Sequence, residues 1–120
     1  KKVYRTTKKL KDLINNLKRK KKIIAGYGAA AKGMTIIKSS GIGKKHLEYF
    51  VDDSPAKQGL YTAGDKIPII SRAQANKKLP DYFIILAPNY SKFIIKKEKK
   101  FISKGGKFII PVGNIDIIGN

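Results

Sequence analysis

The chain has 120 residues, of which 42% are hydrophobic and 29% charged, and this length is enough for one domain with its own core. The absence of cysteine excludes disulfides, thiolate metal sites and a cysteine nucleophile. No apolar run approaches the roughly 18 residues of a membrane span, and no secretory signal opens the chain. We therefore expect a single domain over residues 1–120 in a cytoplasmic protein. Because the first residue is Lys1 rather than Met, we expect a fragment of a longer protein.

The charge is strongly positive, since 27 Lys and Arg against 8 Asp and Glu give a formal net charge of +19. Such a field attracts polyanions. Nearly all of the basic residues are lysine, however, whereas base readers and phosphate clamps favour the arginine fork. The lysine runs at 18–22, 77–78 and 96–100 lie on expected helix surfaces. A solvated lysine-rich surface is the favoured interpretation, and a basic nucleic-acid-binding domain ranks last among the alternatives.

The first half of the chain alternates helical periodicity with short apolar runs. In chain order we place a leading helix over residues 8–20 of the segment 1–20, a strand over Ile23–Ala25, a helix over residues 29–40 and a strand over Leu47–Val51. A polar loop follows over residues 54–66.

The second half continues the same alternation, and Pro68 confines its extended piece to a sheet edge or to an outward-facing position. In chain order we place that piece over Ile67–Ile70, a short helix from the N-cap Ser71 to Lys78, a strand over Tyr82–Ala87, a helix over Asn89–Ser103, a strand over Phe108–Val112 and a short edge strand over Ile115–Ile118.

Strands that alternate with helices in this way predict an α/β fold. We expect a Rossmann-like three-layer sandwich whose mostly parallel sheet has about four to five strands, the main four in the order 2-1-3-4. Ligands of such sheets bind beyond the carboxyl ends of the strands, where the order reverses. We therefore look for a site at that edge.

The turn Gly26-Tyr27-Gly28-Ala29-Ala30-Ala31 fits G-x-G-x-x-A between a strand and a helix. In this motif the first glycine permits a tight turn, the second lets a ligand approach the backbone, and the small third residue lets the helix pack closely. The amides that open the helix attract an anion. On its own the motif is weak, and a tight turn that serves packing alone is the alternative.

Two residues of the following helix favour a ligand. Lys32 is a cation in the first turn, where it opposes the helix dipole, and Gly33 costs a helix interior about 1 kcal/mol relative to alanine. Both are explained if a phosphate binds there and something packs close to the helix. A solvated surface lysine is the alternative for Lys32.

Asp52 ends the second strand, where dinucleotide-binding folds place an acid for a ribose hydroxyl. In the alternative interpretation, Asp52 or Asp53 supports the turn at Ser54-Pro55, an N-cap followed by a proline. Both interpretations remain open at this point.

Further motifs follow the glycine turn in a fixed order. They are Gly41-Ile42-Gly43, Val51-Asp52-Asp53-Ser54-Pro55-Ala56-Lys57-Gln58-Gly59, Tyr61, Gly64, Ile67-Pro68-Ile69 and Gly105-Gly106-Lys107-Phe108-Ile109-Ile110-Pro111. Together with Gly26–Gly33 they resemble the C-terminal domain of sugar-nucleotide C-methyltransferases over nearly the whole chain.

This resemblance implies a parent enzyme of three parts: a small zinc-binding N-terminal domain, a central S-adenosylmethionine-binding domain and this Rossmann-like domain. The implied reaction methylates a carbon next to the keto group of an NDP-keto-sugar, through an enolate-like intermediate. We expect this domain to help form the NDP-sugar pocket with the central domain. S-adenosylmethionine and zinc would belong to the rest of the parent enzyme, and this domain alone would bind neither and would not be catalytic.

Acid–base chemistry is missing at the expected edge, because His46 and Asp81 begin strands and so lie at the opposite end of the sheet, where structural roles are favoured. For Tyr27, stacking on a base and covering the sheet edge are both open. The candidate substrate-binding residues are Gly26, Tyr27, Gly28, Ala29, Lys32, Asp52, Lys57, Gln58, Tyr61, Asn89 and Tyr90. The main alternative function is a free-standing nucleotide- or dinucleotide-binding Rossmann module.

Overall fold

A computed structural model of the chain describes residues 2–119. The helices are α1 (Lys2–Arg19), α2 (Ala31–Ser39), α3 (Arg72–Ala75), α4 (Ser91–Lys97) and α5 (Lys99–Ser103), with a 3-10 turn at Pro88–Tyr90. The strands are β1 (Ile24–Tyr27), β2 (Phe50–Val51), β3 (Ile69–Ile70), β4 (Tyr82–Ile85), β5 (Lys107–Ile110) and β6 (Asp116–Gly119).

The strands form one mixed sheet of six strands in the order β3-β2-β1-β4-β5-β6. All neighbours are parallel except β5 and β6, which are antiparallel. The predicted α/β class with a mostly parallel sheet is confirmed. The predicted count of four to five strands is too low, because Ile69–Ile70 joins the sheet beside β2. The four strands expected in the order 2-1-3-4 correspond to β2, β1, β4 and β5.

Hydrophobic side chains fill both faces of the sheet, because successive residues of a strand point to opposite faces. On one face α1 and α2 pack against the sheet through Leu10, Ile14 and Ile37. On the other face α3, α4 and α5 contribute Ala75, Ile94 and Phe101. Within β4, Phe83 and Ile85 point to the second face and Ile84 to the first. No helix within residues 2–119 has the combined length and apolarity needed to cross a bilayer.

The two edges of the sheet differ. Along β3, the Ile69 amide donates to the Leu60 carbonyl (2.9 Å) and the Thr62 amide donates to the Ile67 carbonyl (2.9 Å), so residues 60–62 lie along the outer side of this strand. At the other edge every residue of β6 is exposed. The outer backbone groups of β3 are therefore engaged by a neighbouring segment of the chain.

Several elements differ in length from the sequence-based expectation. The helix expected over residues 89–103 is divided into the 3-10 turn, α4 and α5, with the second break at Glu98. The strand expected from Leu47 is only Phe50–Val51, since Leu47 lies in the preceding turn. The N-cap at Ser71 is confirmed: its hydroxyl accepts the Gln74 amide and the Gln74 side chain accepts the Ser71 amide, although α3 ends at Ala75.

Close packing explains two glycines of the expected ligand turn. A Cβ at Gly33 would clash with the Leu86 carbonyl oxygen, and a Cβ at Gly26 would clash with the Phe50 ring. Gly33 therefore lets α2 approach the backbone that follows β4. What packs close to this helix is the chain itself, so Gly33 gives no support to a bound ligand.

We expect Gly33→Ala to destabilise the protein by about 1–3 kcal/mol, because the added methyl must push α2 away from the Leu86 backbone. Urea unfolding measures the change. The control is Thr35→Ala on the exposed side of the same helix, which should change stability by less than about 0.5 kcal/mol. Equal stability of the two variants would show that the Leu86 backbone leaves room for a methyl group at position 33.

Candidate functional site

The parallel strands bring three loops together at their carboxyl ends. The last residues of β1 and β2 are aligned, with Tyr27 opposite Val51, and Tyr27 is also aligned with Ile85 at the end of β4. The Gly28 amide donates to the Val51 carbonyl (2.6 Å), and the Leu86 amide donates to the Tyr27 carbonyl (3.1 Å). The glycine turn therefore lies between the loops that follow β2 and β4.

Gly28 is the residue that makes the turn. Its φ of 89° is in the left-handed region, which favours glycine, and a Cβ at this position would meet nothing within 4 Å. The space beside the Gly28 Cα is therefore open, although its amide already donates to the Val51 carbonyl. The tight-turn role predicted for Gly26 is wrong, because Gly26 lies within β1 and avoids the Phe50 ring instead.

The Asp52 carboxylate joins the glycine turn to the loop after β2. One oxygen, Oδ2, accepts the Ala29 amide at 3.0 Å, and the other, Oδ1, accepts the Ser54 amide at 2.8 Å. Both oxygens are therefore used by the chain's own backbone. This geometry favours the interpretation in which Asp52 supports the turn over the one in which it binds a ribose hydroxyl.

Lys57 and Gln58 complete a connected group with Ala29 and Asp52. The Lys57 ammonium donates to the Ala29 carbonyl (3.2 Å) and lies 3.8 Å from Asp52 Oδ2. The Gln58 side-chain amide donates to the Asp52 carbonyl (3.0 Å). Lys57 is half-exposed, so a cation lies beside the glycine turn and remains accessible to solvent.

The helix that follows the turn begins without a side-chain cap. Ala30 occupies the N-cap position and makes no side-chain hydrogen bond, as expected from its methyl group. Lys32 lies exposed in the first turn of α2. Both interpretations of Lys32, as a phosphate ligand and as a surface lysine, are consistent with this position.

The remaining candidates are more dispersed. Asn89 and Tyr90 lie in the 3-10 turn after β4, and Tyr90 is 60% exposed. Tyr61 lies outside the connected group, because its backbone pairs with Pro68 beside the start of β3 and its side chain is exposed.

The Tyr27 side chain is buried on the face of the sheet that carries α3, α4 and α5. Its ring makes edge contacts with Phe83 and Phe108, and its hydroxyl donates to Glu98 Oε2 at 2.6 Å. The ring therefore packs in the core, and only the backbone of Tyr27 lines the carboxyl edge.

A partly buried ion pair, which the sequence motifs do not predict, lies beside the Tyr27 hydroxyl. Arg72 donates from Nε to Glu98 Oε2 (2.8 Å) and from Nη2 to Glu98 Oε1 (2.8 Å). Burial raises the pKa of Glu98, but the hydrogen bonds from Arg72 and Tyr27 outweigh it and hold that pKa below its ordinary value. Burial and the hydrogen bond to Glu98 both raise the pKa of Tyr27. We call Tyr27, Glu98 and Arg72 the buried network.

The sequence gives only a weak indication of this network. Glu98 is the single acid within the lysine run 96–100, and Arg72 is one of only three arginines. Each is an exception to the local composition, but nothing in the residue spacing pairs two side chains that are 26 positions apart.

His46 and Asp81 have the structural roles that the sequence analysis favoured. His46 is buried, and its Nδ1 accepts the Gly43 amide at 3.0 Å. Asp81 Oδ2 accepts the Ile23 amide at 2.8 Å, next to the amino end of β1. His46 does not begin a strand as predicted, because it lies in the turn before β2.

The protonation of His46 should be visible in the stability of the protein. Burial, together with Lys11 and Lys45, lowers the pKa of His46 in the folded state, so the unfolded chain binds the proton more readily. We expect the unfolding free energy to have its full value above about pH 6.5. At lower pH it should fall, by no more than about 1.4 kcal/mol per pH unit.

Urea unfolding between about pH 7.5 and pH 5.5 measures this dependence. In His46→Asn the side-chain oxygen can still accept the Gly43 amide but does not titrate in this range, so the slope should be smaller than in the wild type. The same slope in both proteins would contradict the assignment.

Among residues 2–119, no group of three or more His, Asp and Glu side chains is arranged to hold a metal ion. The hydrogen bonds at the carboxyl edge of the sheet instead join backbone groups, the Asp52 carboxylate and the Lys57 ammonium. What this edge offers a ligand is amide donors and ammonium groups, which suit an anion.

Comparison with known proteins gives two matches. Residues 1–113 match the model of a family described as the C-methyltransferase C-terminal domain. The C-methyltransferase NovU of Streptomyces niveus is 37% identical over 108 residues, which are 90% of this chain and 26% of that relative. The chain thus spans about a quarter of the length of the curated relative, and the family resemblance seen in the sequence is confirmed.

Proposed function

Because the chain belongs to the C-methyltransferase C-terminal domain family, we propose that it holds the diphosphate of a sugar nucleotide in an S-adenosylmethionine-dependent C-methyltransferase. The proposed substrate is an NDP-keto-sugar. Since the relative is about four times as long as the matched segment, the proposal assigns the rest of the pocket to a central domain of a longer parent chain, in the cytoplasm.

One observation carries this proposal: α2 begins without a side-chain cap two residues after Ala29, and the Lys57 ammonium donates to the Ala29 carbonyl. A helix start with free amides binds an anion through its N–H groups and its dipole. A lysine beside it adds a full positive charge. A diphosphate matches both features, because it carries negative charge on oxygens that accept several hydrogen bonds.

Each candidate residue then has a defined part in binding. Gly28 leaves room for a phosphate to approach the backbone, and Asp52 positions the turn by holding the Ala29 amide. Lys57 and Lys32 supply charge. In this proposal, Asn89 and Tyr90 contact sugar hydroxyls from the loop after β4.

S-adenosylmethionine, when bound to the parent enzyme, supplies the methyl group. The proposal places it and the zinc ion in the other domains, because the described residues offer neither a metal-ligand cluster nor a second glycine turn between a strand and a helix. This domain would bind and orient the substrate and would not transfer protons itself.

A free-standing dinucleotide-binding module is the main competing function. It would use Asp52 to bind a ribose, but both carboxylate oxygens already accept backbone amides. A nucleic-acid-binding domain would instead use its lysines as a basic patch against the phosphate backbone. Both alternatives are outcomes of the following experiment.

Calorimetric titration at about 150 mM salt, where non-specific electrostatic binding is weakened, should detect weak binding of UDP, dTDP or GDP and no binding of NAD or S-adenosylmethionine. Lys57→Ala should weaken the nucleotide affinity by about tenfold through loss of a charged hydrogen bond. Lys32→Ala should weaken it as well, because in this proposal its ammonium supplies charge to the phosphates.

Lys104→Ala is the matched control, because Lys104 is exposed after α5, away from the glycine turn. Equal losses in the Lys57 and Lys104 variants would indicate a general charge effect. Tight NAD binding would favour the dinucleotide module, and duplex binding that weakens steeply with salt would favour nucleic acid.

A further inference from the structure

The buried network places charged groups beside the apolar core on one face of the sheet. Glu98 is only 5% exposed, and its partner Tyr27 packs against Phe83 and Phe108. Removing two charges from water costs about as much as their attraction returns, so a buried ion pair is weak support for stability. Apolar side chains would fill this position equally well. The network therefore calls for an explanation other than stability.

Glu98 of this network lies at the break between two helices. Glu98 has φ −102° and ψ 32°, outside the helical region, and it separates α4 from α5. The flanking residues of the run are lysines, which stay exposed. The one carboxylate of the run faces inward, where Arg72 and Tyr27 donate to it.

The network is connected to the carboxyl edge of the sheet by three routes. Tyr27 is the last residue of β1 and directly precedes Gly28. Lys97, next to Glu98, donates to Asp53 Oδ2 at 3.2 Å, and Asp53 follows the Asp52 that holds the Ala29 amide. The third route is α4 itself, which continues from the 3-10 turn at Pro88–Tyr90.

We propose that the buried network positions the candidate diphosphate site: Glu98, held by Arg72, fixes the Tyr27 side chain and with it the course of the backbone through Gly28 into α2. Tyr27, Glu98 and Arg72 are positioning residues, since their side chains act through the turn and do not contact the ligand. The part of this inference that concerns ligand affinity rests on the proposed function, whereas the part that concerns the turn does not.

Tyr27→Phe tests the inference with the smallest change, because it removes only the hydroxyl. Tyr49→Phe is its matched control: Tyr49 is buried on the same face, and its hydroxyl donates to the Lys78 carbonyl at 2.7 Å instead of to Glu98. Amide hydrogen exchange, read by mass spectrometry for residues 28–34 and for β5, separates a local effect from a general loss of stability.

In Tyr27→Phe we expect exchange of residues 28–34 to be several-fold faster than in the wild type, with little change in β5, whereas Tyr49→Phe should leave residues 28–34 unchanged. Glu98→Gln should have the same local effect. If the two tyrosine variants accelerate exchange equally, or if β5 and the turn accelerate together, the network is only a structural element and the inference is overturned.

Titration with UDP, dTDP and GDP adds the second measurement. We expect Tyr27→Phe to weaken the nucleotide affinity by about fivefold. This loss is smaller than that from removing a charged hydrogen bond to the ligand, because the effect is indirect. Tyr49→Phe should leave the affinity unchanged. An affinity unchanged in Tyr27→Phe would overturn the inference for ligand binding. If the wild type binds no nucleotide, the proposed function fails, and the exchange data alone still decide whether the network positions the turn.

Discussion

The carboxyl edge of this sheet depends on one carboxylate. The two oxygens of Asp52 accept amides from two separate loops, one before α2 and one after β2, so moving the loops apart would break a hydrogen bond to this half-buried carboxylate. Lys57 and Gln58 return from the second loop to the same place. Because these contacts use both backbone and side chains, the shape of the edge is set before any ligand arrives, and such preorganisation reduces the entropic cost of binding.

The fold was largely predictable because its strands are short apolar runs between helices with clear periodicity. The edge position of Ile69–Ile70 followed from Pro68, which lacks an amide for a central strand. The division of residues 89–103 was not predictable, because the lysines and isoleucines there continue the helical pattern without interruption. The second break falls at Glu98, whose hydrogen-bond partner Arg72 is distant in sequence.

The candidate site was predictable in outline and less so in detail. Sequence motifs located the glycine turn, Asp52, Lys57 and Gln58, and the structure brings these residues into contact. The functions of individual glycines were harder to assign, because close approach to Phe50 or Leu86 depends on packing between distant segments. The same holds for Tyr27, whose motif position says nothing about which face of the sheet its ring covers.

The two edges of the sheet differ in whether a further strand can pair with them. On the β3 side the described chain supplies its own partner in residues 60–62, whereas β6 presents Ile117 and Ile118 at 45% and 36% exposure. An unprotected edge strand is a template for pairing with another segment, and β6 carries no lysine to discourage it, in a chain otherwise rich in lysine. A seventh strand, from the same polypeptide or from another molecule, would therefore be added beside β6.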